Sequence, residues 1–364
     1  MYFSRIVIAF AVAASALLPP PAQPLNKEYG FNHPPGVSQE FLDITAANTR
    51  VAQNHVKLQA PVRYPTAVHQ LQKVNRLITQ LDPLGVQTII EDLSNFQNRF
   101  YNGSEPSTKA SRWLYTKISQ VITASSAPRV AVDYFTHVGW HQPSIIVSIP
   151  GRSAKTVVVG AHQDSITGCY QVSRDYAPGA DDNASGVATL LEALRVLLQD
   201  PSVAQGQALN TLEFHFYAAE EVGLQGSHQV FDAYSTQARE VKAMLNQDMT
   251  GYTGYVSHSK PEVIGVLTDN VDPSLTSFYC TVPYADTACG YRCSDHASAH
   301  VHGFPAAMTF ESKYGDHSKF IHSSLDRADT INVNHILQHV RLVIGFAYEL
   351  GFAPLTTNNG NEYL

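Results

Sequence analysis

Between about residues 81 and 353 the chain alternates two hydrophobic patterns. Short β-branched runs are separated by longer stretches whose apolar residues recur at helical spacing. Residues 86–100, VQTIIEDLSNFQNRF, place Ile89, Leu93, Phe96 and Phe100 on one helical face and predict a helix. The turn NGSEPS leads into a second helix-like run, ASRWLYTKISQVITAS. SIIVSIPG and KTVVVGAHQD then read as two strands broken at Pro150-Gly151. Further along, NASGVATLLEALRVLLQ predicts an amphipathic helix, TLEFHFYAAEE a strand, LQGSHQVFDAYS a helix and AMLNQDM a strand. PEVIGVL and FPAAMTF add strands, and NVNHILQHVRLVIGFAYELG closes the chain as a helix with Gly351 as its stop. Strands alternating with helices predict a three-layer α/β/α domain around a mostly parallel, mixed central sheet.

The N-terminal region departs from this pattern. Arg5 precedes the apolar run IVIAFAVAASALL and then PPPAQP, with Ala14-Ser15-Ala16 near the junction. That order reads as a secretory signal peptide over residues 1–18. Residues 19–80 are rich in Pro, Gln and Asn and read as a propeptide that docks on residues 81–353 as inhibitor or chaperone; 354–364 read as a tail.

Composition narrows the function classes. A formal charge of -7 over 364 residues argues against a nucleic-acid partner. No interior apolar run is long enough for a membrane-spanning helix. Secretion suits disulfides, and Cys289 and Cys293 in ACGYRCSD can close one around Gly290; a zinc site would need a second cysteine pair. Cys169 and Cys280 either pair or stay free. Asn102-Gly103-Ser104 is an acceptor for N-glycosylation. A monomer is the expected state.

Five segments at the ends of these runs carry the candidate chemistry: VVVGAHQDS, APGADDNASG, HFYAAEEVGLQGS, MLNQDMTG and KFIHSSLD. In the first, His162 and Asp164 are two apart on a strand end and point the same way, so Asp164 can orient the His162 ring. Asp181 and Asp182 precede a helix that Asn183 or Ser185 can cap, leaving a carboxylate to bridge two cations. Glu220 and Glu221 are adjacent like charges that require a cation or a proton between them. One can ligate a metal while the other acts as general base toward a water whose pKa the metal depresses. Asp248 and His322 complete an inventory that suits two zinc ions.

The ordered set resembles the M28 family of zinc aminopeptidases, especially its secreted leucine-aminopeptidase-like branch in bacteria and fungi. The resemblance spans about residues 85–352 and includes HxD, GADDNASG, AAEEVGLQGS, NQDM and IHSSLD in order, with CGYRCSDHAS and MTFESKYGD besides. It implies the zinc-dependent exopeptidase fold, two Zn2+ per chain and peptide substrates with a free N-terminus. It further implies Asp182 as the bridging carboxylate, with His162 and Asp248 on one ion and Glu221 and His322 on the other. Glu220 is then the general base on a metal-bridging water, Asp164 the residue that orients His162, and Tyr291 a stabiliser of the tetrahedral intermediate. The implied pocket for a leucine-like or aromatic first residue is walled by Met249, Met308, Phe310, Tyr314 and Ile321, with Cys289, Tyr291 and Cys293. Two relatives on the same fold are the alternatives. A glutaminyl cyclase-like enzyme would use one zinc and need not keep both His162 and Asp248. A carboxypeptidase-like enzyme would insert a dimerisation domain between Asp248 and His322, an interval of only 74 positions here.

Overall fold

The computed structural model describes residues 61–102, 105–168, 175–253, 262–279 and 284–357. The signal peptide, residues 19–60, Cys169, Cys280, Ser104 of the glycosylation acceptor and the tail beyond residue 357 lie outside the described residues.

In chain order the elements are β1 (Val62–Arg63), α1 (Leu71–Leu77), α2 (Pro83–Ser94), α3 (Pro106–Ala124), β2 (Ala131–Phe135), β3 (Ser144–Ile149) and β4 (Ser153–His162). There follow α4 (Gly186–Leu197), α5 (Pro201–Ala204), β5 (Asn210–Tyr217), α6 (Gln225–Thr236), β6 (Val241–Gln247), β7 (Ile264–Leu267) and α7 (Pro273–Tyr279). The last are β8 (Tyr284–Thr287), α8 (His296–Val301), β9 (Ala306–Phe310), α9 (Val333–Phe352) and β10 (Thr356–Thr357).

Eight strands form one sheet in the order β2-β3-β5-β4-β6-β9-β7-β8. Its centre, β5-β4-β6-β9, is parallel; β3 runs antiparallel to β5, and β7 antiparallel to β9. Helices cover both faces, giving the three-layer α/β/α arrangement. Along β4 the side chains alternate between them. Val157, Val159 and Ala161 pack in the cluster that includes Leu190 and Leu194 of α4 and Val340 and Ile344 of α9. Val158 joins Val230, Phe231 and Tyr234 of α6 on the opposite face. Burial on two faces is why β4 carries the continuous apolar run Val157-Val158-Val159. Each such side chain contributes on the order of 1.5–3 kcal/mol.

The register positions the chemistry. His162 at the end of β4 pairs with Tyr217 at the end of β5, and Gly160 pairs with Asn246 of β6. The residues that follow these strands therefore emerge together at one edge of the parallel sheet, where α/β sites lie.

Two features differ from the sequence pattern. The helix expected over 86–100 starts at Pro83 and ends at Ser94. Beyond it Arg99 turns inward and donates to the Leu93 carbonyl at the helix end, 3.2 Å away. Gly351 is not the stop of α9 but lies inside it, where a Cβ would sit 3.2 Å from Leu212 Cδ2 of β5. Residues 61–82 pack against the domain. β1 pairs with β10, Val74 and Leu77 are in the core, and the Glu349 carboxylate accepts the His69 and Gln70 N–H groups at 3.0 and 2.6 Å.

Candidate metal centre

His162 is the last residue of β4 and is buried. Its Nδ1 lies 3.4 Å from Asp164 Oδ1. The Asp164 carboxylate also accepts the N–H groups of Glu220 and Glu221, at 3.1 and 3.2 Å, so it ties the end of β4 to the turn after β5. On its other side, His162 Nε2 faces Asp182 Oδ1 at 3.1 Å, Asp248 Oδ1 at 3.4 Å and Glu220 Oε2 at 4.0 Å. Asp182 presents its second oxygen to another imidazole: Oδ2 lies 3.0 Å from His322 Nε2, which is 2.8 Å from Glu221 Oε2. Two donor sets result, His162–Asp182–Asp248 and Asp182–Glu221–His322, and within each the ligand atoms lie within 4.8 Å of one another.

The Asp248 carboxylate and the turn that carries Asp182 are held by neighbours of definite geometry. Ser294 Oγ donates to Asp248 Oδ2 at 2.5 Å and accepts from Asn246 Nδ2 at 2.8 Å. Asn183 Oδ1 accepts the N–H of Gly186, the first residue of α4, at 2.9 Å, while its Nδ2 donates to the Gln247 carbonyl at the end of β6. The Asp326 carboxylate accepts the N–H groups of Asp181 and Asp182, at 2.9 and 3.0 Å, and so joins the His322 loop to the Asp182 turn.

The electrostatics are those of crowded carboxylates. Burial, then Asp248 and Glu221, push Glu220 well above the ordinary carboxyl range against the pull of His162. Burial and Asp182 push Glu221 up to about 7, against His322. Burial also acts to raise Asp182, but the close His162 and His322 imidazoles outweigh it and hold this carboxyl well below its usual range. A divalent cation satisfies such a cluster. Both sets combine imidazole nitrogen with carboxylate oxygen, a donor chemistry suited to zinc. His162 Nε2 and Glu221 Oε1 are buried without a hydrogen-bond partner, as expected of atoms aimed at an ion.

Comparison with known proteins accords with this geometry. The profile of peptidase family M28 matches residues 144–347. Leucine aminopeptidase 1 of Ajellomyces capsulatus (strain H88) is 45% identical over 325 residues, covering 87% of this chain and 84% of the relative. The chain belongs to peptidase family M28. It is a metallo-exopeptidase of that family. The crystal structure of the Legionella pneumophila LapA aminopeptidase superposes with a TM-score of 0.71 at 28% identity, covering 79% of this chain and 74% of that one. Porphyromonas gingivalis glutaminyl cyclase shares the fold alone, with a TM-score of 0.57 at 19% identity over 74% of this chain and 99% of its own.

In this M28 chain the expected pocket residues form one apolar cluster. Met249, Met308 and Phe310 are buried with Leu267 and Val271, and Cys289, Cys293, Tyr314 and Ile321 pack against them. Cys289 and Cys293 are disulfide-bonded. Tyr291, between them, is 56% exposed, and Tyr314 donates to its hydroxyl at 3.3 Å. Asp269 accepts the Cys289 and Gly290 N–H groups at 3.2 and 2.8 Å and fixes this loop. Asp181, next to the shared ligand, turns away and accepts the Gly251 N–H at 3.0 Å.

Sequence reasoning missed Asp326, Glu311 and Arg99. Asp326 closes the IHSSLD motif and Glu311 sits in MTFESKYGD, so both lay in quoted segments without an assigned part. Glu311 accepts the Tyr252 and Ser318 N–H groups at 2.7 and 2.9 Å. Arg99 carried one signal, a charged residue between the polar Gln97-Asn98 and the apolar Phe100-Tyr101.

Proposed function

We propose that this M28 peptidase is a secreted dizinc aminopeptidase that removes leucine-like or other large apolar residues from free peptide N-termini. The observation that carries the reading is Asp182, whose two oxygens face two imidazoles, each accompanied by one further carboxylate. His162, Asp182 and Asp248 would hold one ion, and Asp182, Glu221 and His322 the other. When bound, zinc supplies Lewis acidity toward the scissile carbonyl and the attacking water.

The chain's own residues do the rest. Asp164 holds His162 in one ring orientation. Glu220 ligates neither ion and takes a proton from the attacking water. It then delivers that proton to the departing amine, the role of a carboxyl whose burial keeps its proton affinity high. Tyr291, at the mouth, donates toward the oxygen that gains charge. The cluster of Met249, Met308, Phe310, Tyr314 and Ile321 receives the first side chain, and its apolar surface favours leucine. The name of the 45%-identical fungal relative, leucine aminopeptidase 1, supports the same preference.

Two observations favour this over the alternatives. Both donor sets are complete, whereas a cyclase needs one. The described part of the interval from Asp248 to His322 contributes β7, β8 and β9 to the main sheet, which supports a chain without an inserted dimerisation domain and a monomeric enzyme. The disulfide supports an oxidising destination, and the exposure of Asn102 supports its reading as a glycan acceptor. Among the described residues no helix is long and apolar enough to cross a membrane. Residues 62–82 pack against the domain, which supports the reading of residues 19–80 as a propeptide that docks on it.

Glu220→Gln tests the base. The variant is expected to bind two zinc ions per chain while turnover falls by roughly 10²–10⁴-fold. Near wild-type turnover would remove Glu220 from the mechanism.

A further inference from the structure

Arg99 is 1% exposed, yet among the described residues no carboxylate lies within ion-pair distance of it. A buried guanidinium is costly unless its donors are satisfied. Here they are satisfied by main-chain carbonyls. Nε donates to Gln163 O at 2.8 Å, Nη1 to Leu93 O at 3.2 Å and to Pro178 O, and Nη2 to Gly179 O at 2.8 Å. Gln163 separates His162 from Asp164, and Gly179 opens the turn that carries Asp182. One side chain thus joins the strand end bearing His162 to the turn bearing Asp182.

The surroundings are shaped to this fork. Gly179 has φ +53°, and a Cβ there would sit 2.7 Å from Arg99 Nη2 and 2.4 Å from the Asp182 carbonyl oxygen. Neighbouring residues continue the contact. Gln97 O accepts the Ala177 N–H at 2.8 Å, and Asn98 Nδ2 donates to Asp175 O at 3.0 Å. The Arg99 N–H donates to Ser165 Oγ at 3.1 Å, and that hydroxyl donates to Ala177 O at 2.9 Å. Residues 97–99 are therefore a strap along which the segment entering the Asp182 turn is laid.

We propose that Arg99 is a positioning residue for the metal centre: its planar fork sets the His162–Asp182 spacing and so the affinity of the ion held by His162, Asp182 and Asp248. The inference rests on the two-ion reading above. The geometry of the fork carries the effect, and lysine, a point donor on a flexible stem, does not reproduce it.

The test is zinc titration of metal-stripped wild type, Arg99→Lys and Arg99→Gln against a competing chelator, with kcat and KM on the same samples. In both variants one of the two sites is expected to weaken about tenfold, at the lower end of the range for groups that orient metal ligands. The other site should change less than about threefold, and kcat should fall with KM nearly unchanged, since the apolar pocket is untouched. Zinc affinities that stay at wild-type values while the metal-free protein melts lower would show a purely structural role and overturn the proposal. Full rescue by Arg99→Lys would assign the effect to charge and overturn it equally. If both variants fail to fold, Asn98→Ala removes the Asp175 contact of the same strap; a loss of about threefold at the same site supports the proposal, and unchanged affinities overturn it. A wild-type protein that binds fewer than two ions would overturn the two-ion reading itself, and is distinguished from the others by the wild-type titration alone.

Discussion

At the scale of single residues, the site shows how neighbours in sequence and neighbours in space differ in legibility. His162 with Asp164, and Glu220 with Glu221, are close along the chain, so their pairing was readable from spacing on a strand end. Arg99 and Asp326 work through main-chain groups of residues far away, and no spacing announces that. Asp326 reaches 144 positions back to the Asp182 N–H. Buried histidines away from the site are a second residue-scale feature. His137 is buried, hydrogen-bonded to Ser144 Oγ at 2.7 Å, and stacked on Trp140. Burial lowers its pKa from 6.5 to about 4, against a hydrogen bond with Gln229 that acts to raise it. The unfolded chain then binds more protons than the folded one between these values. Stability contributed by neutral His137 is present above pH 6.5 and is lost as pH falls toward 4. The full effect is on the order of 3 kcal/mol, at about 1.4 kcal/mol per pH unit. His137→Gln should flatten urea-unfolding stability between pH 6.5 and 4 relative to wild type; an unchanged slope would show that His137 is not its source.

At the scale of elements, the strands that place the chemistry were the easiest to read, because burial on both faces gives β4 the run Val157-Val158-Val159 and leaves β5 and β6 rich in large apolar residues. The edge strands β2 and β8 were not readable. Their sequences, AVDYF and YADT, are half-exposed and carry little pattern. The premature end of α2 was hidden too, since Phe96 and Phe100 continue the helical period while Arg99 needs the chain to turn. Close packing between elements also escapes the pattern. Gly226, in the first turn of α6, lies so near β5 that a Cβ would stand 1.9 Å from the Ala218 carbonyl oxygen. Ala218 leads into the turn that holds Glu220 and Glu221, and Gln225 N–H donates to Ala219 O at 3.0 Å. Gly226→Ala must push α6 away from that turn. We expect a stability loss above about 2 kcal/mol by urea unfolding, in the range for overpacked sites, with a fall in turnover of the folded fraction. A variant as stable and active as wild type would contradict this close approach.

At the scale of the whole molecule, the fold class was legible because alternation of strands and helices leaves few architectures, and family M28 membership agrees with it. Residues 62–82 have a weak hydrophobic period, and their contacts become evident only through β1 on β10 and the Glu349 carboxylate on the His69 and Gln70 N–H groups. What the molecule as a whole achieves is convergence: four segments from one sheet edge and one late loop bring together two imidazoles and their carboxylates. The function proposed for this centre is cleavage at a free peptide N-terminus. Hydrolysis of leucine p-nitroanilide compared with N-acetyl-leucine p-nitroanilide by the zinc-loaded mature protein tests it most directly. The expected result is release of p-nitroaniline from the first compound and none above background from the second. Cleavage of the blocked compound at a comparable rate would contradict it.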